Sequence, residues 1–360
     1  MRVGLIIYGD LHMVSGGFLY DRMLVEALKR QRHQVEIISL PLRSYAASLS
    51  DNLSIALSRR LRLGRFDIML QDELSHPSLF WLNRQGKGRI GYPLVSIVHH
   101  LRCHELRPAW QNSFYRWIER KYLATLDGFI FNSQTTRDAV QALVGDQPRA
   151  IVAYPGGDRL NPALTPAKIA LRARQAGPLR IIFIGNLIPR KELYTLLAAL
   201  TRLPKASWRL EVVGSPLVDT TYTQAIHHQI AQAGLANQVA LLGPLADEVL
   251  AERLSQSHVL AVPSSYEGFG IVYLEGMGFG LPAIASTAGG AGEIISNGQN
   301  GFLIAPGDRG ALAQHIQTLS QDRGRLVEMS LVAYQHYREL PTWAESTGRI
   351  CEFLSRLASG

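Results

Sequence analysis

The residues able to do chemistry fall in a few short stretches of this 360-residue sequence, and the densest is PSSYEGFGIVYLEGMGFGLPAIASTAGGAGEII, from Pro263 to Ile295. A strand is expected to end here, followed by Glu267, the turn Gly268-Phe269-Gly270 and a helix that carries Glu275 near its start. Glycines have no Cβ, so the amides of such a turn can approach a diphosphate or sugar hydroxyls closely. A carboxylate placed like Glu275 can accept hydrogen bonds from ribose hydroxyls. The same spacing also fits a Gly-rich turn carrying two solvated acids. In IGNLIPRKELYTLL, Arg190 and Lys191 occupy a loop between a strand and the next helix. A fixed cation there would stabilise charge growing on a departing diphosphate, although a solvated basic loop would read alike. SGGFLYDRMLVEAL sets Gly16 and Gly17 just before an amphipathic helix. SIVHHLRCHE gathers His99, His100, Cys103, His104 and Glu105. These are potential metal ligands, but the chain has no second ligand cluster, so no metal is expected, and core or surface histidines are the plain alternative.

The elements that must hold these residues are legible as short apolar runs separated by longer segments of helical periodicity. VGLIIYG, VEIISL, FDIML, LVSIVHH, GFIFNS and AIVAYPG lie in the first half; LRIIFIGN, RLEVVGS, VALLG, HVLAVPS, LPAIAST and NGFLIAPG lie in the second. Most are apolar throughout, as parallel strands covered on both faces should be. The expectation is therefore two doubly wound α/β sheets, with ligands held by the loops beyond the carboxyl ends of the strands. YPGGDRLNPALTPAKIALRARQAGP is rich in Pro and Gly, which places the domain boundary near its end: 1–175, 176–340, and a C-terminal helix over 341–360 packing back toward the first domain.

Composition excludes several classes. With 47% apolar and 18% charged residues the chain can build cores. Its two cysteines, Cys103 and Cys351, are too few for a disulfide framework, so a reducing, cytoplasmic setting is expected. No signal peptide or membrane-spanning segment is expected. Net charge is +8, but residues 1–178 hold 24 Lys and Arg against 14 Asp and Glu, while the remainder hold 13 against 15. The first half should face something anionic. SRRLRLGRF, with Arg59, Arg60, Arg62 and Arg65 among leucines, and AWQNSFYRWIERKYL each read equally well as a membrane-surface element or as an ordinary helix with a solvated basic face.

EGFGIVYLE and GGAGE, together with IGNLIPRKELYTLLAAL, FNSQTTRD and NGFLIAPGD, make the chain resemble the retaining glycosyltransferases of family 4, which include bacterial glycolipid and polysaccharide transferases. The resemblance takes in nearly the whole second half and, more loosely, the first. It implies the GT-B fold, two Rossmann-like domains facing a central cleft. By resemblance Glu267 contacts the hydroxyls of the donor sugar, Glu275 the donor ribose and Lys191 the diphosphate. Gly16 and Gly17 bring backbone close to donor phosphate and acceptor. A histidine at the end of the fourth strand holds the donor sugar, and His99 aligns better than His100. Asn186 and Glu192 depart from the family, which often has a second cation and a glycine there; Arg190 could make up the charge.

The implied reaction moves a sugar from a nucleoside diphosphate donor, UDP- or GDP-linked, to a hydroxyl of a lipid-linked or glycan acceptor, with an anionic membrane surface as the expected docking partner. No cofactor, metal or nucleic acid is expected. The absence of any Asp-x-Asp agrees with a metal-free site. GKGRIG matches a dinucleotide fingerprint but precedes a strand where the fingerprint must follow one, so a dehydrogenase is disfavoured. The rivals are a nucleotide-sugar epimerase on the same fold and a non-catalytic sugar-nucleotide binding protein.

Overall fold

The computed structural model describes residues 1–359. All twelve expected strands form. In the first sheet β1 (Arg2–Tyr8), β2 (Gln34–Leu40), β3 (Ile68–Asp72), β4 (Leu94–Val98), β5 (Gly128–Phe131) and β6 (Ala150–Val152) are ordered β2-β1-β3-β4-β5-β6. In the second, β7 (Leu179–Ile184), β8 (Trp208–Val213), β9 (Val239–Gly243), β10 (Val259–Val262), β11 (Ala283–Ser286) and β12 (Gly301–Ile304) are ordered β12-β11-β10-β7-β8-β9. Every pairing is parallel. β3, β4, β5 and β10 are buried at every position, which is why their sequences do not alternate. The strand order reverses between β1 and β3 in one sheet and between β7 and β10 in the other. At these points the loops diverge to opposite faces and leave a crevice beyond the strand ends.

The chain divides into two compact units, Met1–Pro155 with the helix Trp343–Ser359, and Gly156–Thr342. The division falls twenty residues before the 175/176 boundary read from the Pro- and Gly-rich stretch. The reason is local packing. The helix Pro166–Arg174 inside that stretch buries Ile169, Arg172 and Ala173 within the second unit, and Arg172 donates to the carbonyls of Ser255 and Gly280 at 3.2 and 2.9 Å.

The helix Trp343–Ser359 belongs to the first unit. Its apolar stripe of Trp343, Ile350, Cys351, Phe353 and Leu354 is buried, and it lies against the helix Gly16–Arg30, where Tyr20 and Trp343 meet edge-on at 5.7 Å. Ser346 Oγ also donates to the Tyr154 carbonyl at 2.5 Å. Both cysteines are buried free thiols. No helix among the described residues is long and apolar enough to cross a membrane. Because this helix completes the first core, Ile350→Ala, at a fully buried position, should destabilise the protein by about 3 kcal/mol, measurable as a lower urea midpoint.

Candidate active site

The second unit gathers its chemistry at the reversal between β7 and β10. Gly185 and Asn186 follow β7, and a short turn Pro189–Lys191 comes next. Lys191 Nζ donates to Glu267 Oε2 at 2.6 Å, and Arg190 Nη1 lies 3.5 Å from the same oxygen while donating to the Tyr266 carbonyl at 2.9 Å. Ser264 Oγ adds a hydrogen bond to Glu267 Oε2 at 3.1 Å. Burial opposes the charge on Glu267, but Lys191 and then Arg190 outweigh it and hold the carboxyl at about 2. Burial pulls the Lys191 ammonium down, against the attraction of Glu267. The side chains of Lys191 and Glu267 are only 12% and 14% exposed, so neither the solvated loop nor the solvated acid is what forms.

Glycine contacts fix this arrangement. A Cβ on Gly289, whose φ is +94°, would stand 1.9 Å from the Glu267 carbonyl oxygen, and one on Gly290 would stand 2.3 Å from that of Gly268. Without side chains the two segments pair: Glu267 N donates to the Ala288 carbonyl at 3.1 Å and Gly290 N to the Glu267 carbonyl at 2.8 Å. The GGAGE element is therefore the support beneath Glu267 and the Gly268-Phe269-Gly270 turn. Gly185 has the same role for Lys191, because an added Cβ would press within 3.2 Å of the lysine's Cγ and Cδ.

Glu275 lies in the helix Ile271–Gly278, as expected, but it is 2% exposed and already paired. Arg159 Nε donates to its Oε1 at 2.8 Å, and the guanidinium also bonds Asp247. Burial raises the Glu275 carboxyl and Arg159 counters it. Arg159 escaped the sequence reading because YPGGDRLNP reads as linker. The only signal was the glycine pair: Gly157 has no room for a Cβ against Leu274, 2.6 Å away, so the segment lies on the helix of Glu275 and delivers Arg159 to it.

In the first unit, Ser15 Oγ accepts from Phe18 N at 3.2 Å and caps the helix Gly16–Arg30. Gly17 faces His99: a Cβ there would lie 3.1 Å from the ring. His99 is buried at the end of β4, with Nε2 3.2 Å from Asp21 Oδ1. Burial opposes its protonation, but Asp21, then Asp72 and Glu73, raise it to about 9. Asn132, from the FNSQTTRD segment, donates to the His99 carbonyl at 3.0 Å. The histidine cluster does not converge on one centre. His100 Nε2 meets Glu105 Oε1 at 2.9 Å, and Cys103 is buried beside Glu119.

Arg59, Arg62 and Arg65 are exposed, on or just beyond the helix Ile55–Leu63, whereas Arg60 is drawn to Glu36 at 2.7 Å. The fold sets beside them exposed Arg84, Lys87 and Arg89, at the end of the helix His76–Gly86 and in the loop after it. Leu63 and Trp81 on the same two helices are 77% and 41% exposed.

Residues 168–336 match the sequence profile of the glycosyl transferases group 1, and residues 15–159 that of glycosyltransferase family 4. Together these matches take in most of the chain, which belongs to glycosyltransferase family 4. Among its relatives are a D-inositol 3-phosphate glycosyltransferase of Rhodococcus erythropolis, 28% identical over 78% of this chain and 67% of the relative, and a glycogen synthase of Mycobacterium tuberculosis, 30% identical over 64% and 55%. The chain thus spans about two thirds or less of the length of these curated relatives. Sucrose-phosphate synthase of Thermosynechococcus elongatus has the same fold, with a TM-score of 0.84 and 20% identity over 99% of both chains. So does HepE of Anabaena, solved with UDP-glucose, at 0.80 and 22% over 99% of this chain and 100% of that one. The fold is GT-B.

Glu192 adopts φ 57° and ψ 34°, a left-handed conformation between Lys191 and the helix Leu193–Leu200. Its carboxylate accepts from Thr195 Oγ1, which recovers part of the cost. Glu192→Gly should raise stability by about 0.5–1 kcal/mol, since the left-handed region costs a side-chain-bearing residue roughly 1–2 kcal/mol; a thermal melt at pH 7 checks the sign.

Proposed function

We propose that this chain is a retaining glycosyltransferase that moves a sugar from a nucleoside diphosphate donor to a hydroxyl of a lipid-linked or glycan acceptor. The observation that carries the reading is the contact of Lys191 and Arg190 with Glu267 at the reversal point of the second sheet. An incoming diphosphate competes for both cations, and its binding frees the Glu267 carboxylate to accept hydrogen bonds from sugar hydroxyls. The turn Gly268-Phe269-Gly270 follows it directly, and amide N–H groups there would donate to the same ligand. Glu275, kept in place by Arg159, takes the ribose. UDP-glucose in HepE supports a UDP-sugar over a GDP-sugar as the first donor to try.

In the reaction the bond from anomeric carbon to phosphate oxygen breaks, the acceptor oxygen bonds that carbon from the same face, and the departing phosphate oxygen takes the acceptor's proton. No side chain is needed as a covalent nucleophile. Lys191 and Arg190 meet the charge that grows on the diphosphate, so the scheme requires no divalent cation. His99, in the first unit with Gly16 and Gly17, is the histidine assigned to the donor sugar.

Lys191→Ala should therefore lower kcat more than donor affinity, because the charge it neutralises is greatest as the phosphate leaves. A loss of about 3 kcal/mol in the barrier is typical for removing one such group. Turnover measured on a panel of UDP- and GDP-sugars tests the reading, and an unchanged kcat in the variant would refute the assignment of Lys191.

A lipid-linked acceptor is supported by the basic face of the first unit, where exposed Leu63 and Trp81 lie among Arg59, Arg62, Arg65, Arg84, Lys87 and Arg89. Each Lys or Arg near an anionic bilayer contributes roughly 1 kcal/mol. The protein should co-sediment with vesicles containing phosphatidylserine, not with neutral ones, and detach as salt shortens the screening length to about 8 Å.

A further inference from the structure

Behind His99 the first unit buries more acid than its neighbours neutralise. Asp21, Asp72, Glu73 and Glu119 are each at most 2% exposed. Asp21 has His99, and Asp72 Oδ1 accepts from Leu74 N at 2.9 Å. Glu119, on the helix Ala109–Leu123, accepts from the backbone amides of Arg102 and Cys103 at 2.6 and 3.2 Å. These two amides belong to the turn that follows His99 and His100. Glu73, directly after β3, differs: neither of its oxygens has a donor in good hydrogen-bond geometry among the described residues, although His76 Nδ1 stands 3.0 Å from Oε1. An ionised carboxylate in that position would bear most of its desolvation cost without a counter-charge.

A carboxylic acid would not, because an O–H on Glu73 can donate to Glu119. Oxygens of the two carboxyls and a ring nitrogen of His76 lie within 4.8 Å of one another. His76 cannot serve as the counter-charge. Its Nδ1 donates to the Glu73 carbonyl at 2.8 Å and lies 3.0 Å from Glu73 Oε1, its Nε2 meets the Tyr45 hydroxyl at 2.9 Å, and burial holds the ring neutral, down to about 4. With both nitrogens engaged, it also offers no lone pair to a cation. We propose that Glu73 and Glu119 share one proton and act as a positioning pair, clamping the Leu101–Glu105 turn so that His99 is presented at the end of β4.

The surroundings agree. Burial raises Glu73 to about 8, with Asp72 adding to it, and burial followed by Glu73 raises Glu119 to about 7. Two coupled acids titrate as a unit, so one proton stays on the pair through neutral pH. The other groups facing it are Tyr45, Asp72, His99, Tyr122, Arg102 and the Cys103 thiol beside Glu119, and the Arg102 guanidinium rests 5.2 Å from the ring centres of both Tyr45 and Tyr115. The sign follows: both carboxyls sit above their unfolded value, so the clamp is intact at low pH and is lost as pH rises through about 8, when two carboxylates face each other.

The test is carried out on the full chain. Hydrogen exchange of the Arg102 and Cys103 amides, followed from about pH 6 to about pH 9 and corrected for intrinsic exchange, should show protection falling about tenfold at the alkaline end in the wild type. Glu73→Gln keeps a permanent donor to Glu119 and should hold protection constant across the range; Glu73→Ala should not. Infrared spectra at pH 7 should show the C=O stretch of a buried carboxylic acid that Glu73→Gln removes. Equal pH dependence in wild type and Glu73→Gln, no acid band, or a stoichiometric divalent metal bound in wild type and lost in Glu119→Gln would each overturn the proposal. The consequence for kcat, an alkaline limb that Glu73→Gln shifts upward, rests on the transferase reading; exchange and infrared data judge the clamp even if that reading fails.

Discussion

Glu267 keeps its charge in a nearly closed place because two cations, Lys191 and Arg190, converge on one of its oxygens. Much of the second unit can be understood as the conditions for that meeting. The cations come from the loop after β7 and the acid from the loop after β10, strands far apart in sequence and adjacent in the sheet. The acid's backbone is seated on Gly289 and Gly290, where any side chain would collide with a carbonyl. The lysine's stem runs over Gly185. Electrostatics selects the partners, and close backbone packing makes the distance short enough for them to matter.

The first unit solves a different problem. Its sequence is basic overall, yet four of its acids are gathered inside while Arg59, Arg62, Arg65, Arg84 and Arg89 are outside. The outer surface is therefore more cationic than the net charge suggests. Inside, each acid needs a partner: a protonated histidine for Asp21, backbone amides for Asp72 and Glu119, and for Glu73 a proton shared with Glu119. The same low dielectric that makes an unpaired carboxylate costly makes each satisfied contact strong. This interior lies directly behind the loop that carries His99, so histidine, acids and turn form one connected set.

Much of this was determined by sequence alone. The twelve strands, the parallel character of both sheets, the loops that carry Lys191, Glu267 and His99 and the helix that carries Glu275 follow from apolar runs and glycine placement, which are local signals with local causes. Tertiary structure decided what those signals cannot encode. Arg159 looked like part of a linker, because nothing near it in sequence shows that Glu275, more than a hundred residues away, is its partner. The unit boundary moved for the same reason: Pro and Gly mark a break in regular structure, while membership of a unit depends on which core buries Ile169 and Arg172. Glu192 stood out only as a departure from a family pattern until the fold showed its backbone to be left-handed, a conformation that favours glycine. Glu73 and Glu119 carried no signal at all. A lone acid in a sequence is expected at the surface, and only the meeting of the segment after β3 with the helices that carry His76 and Glu119 removes it from water and forces the question of its proton.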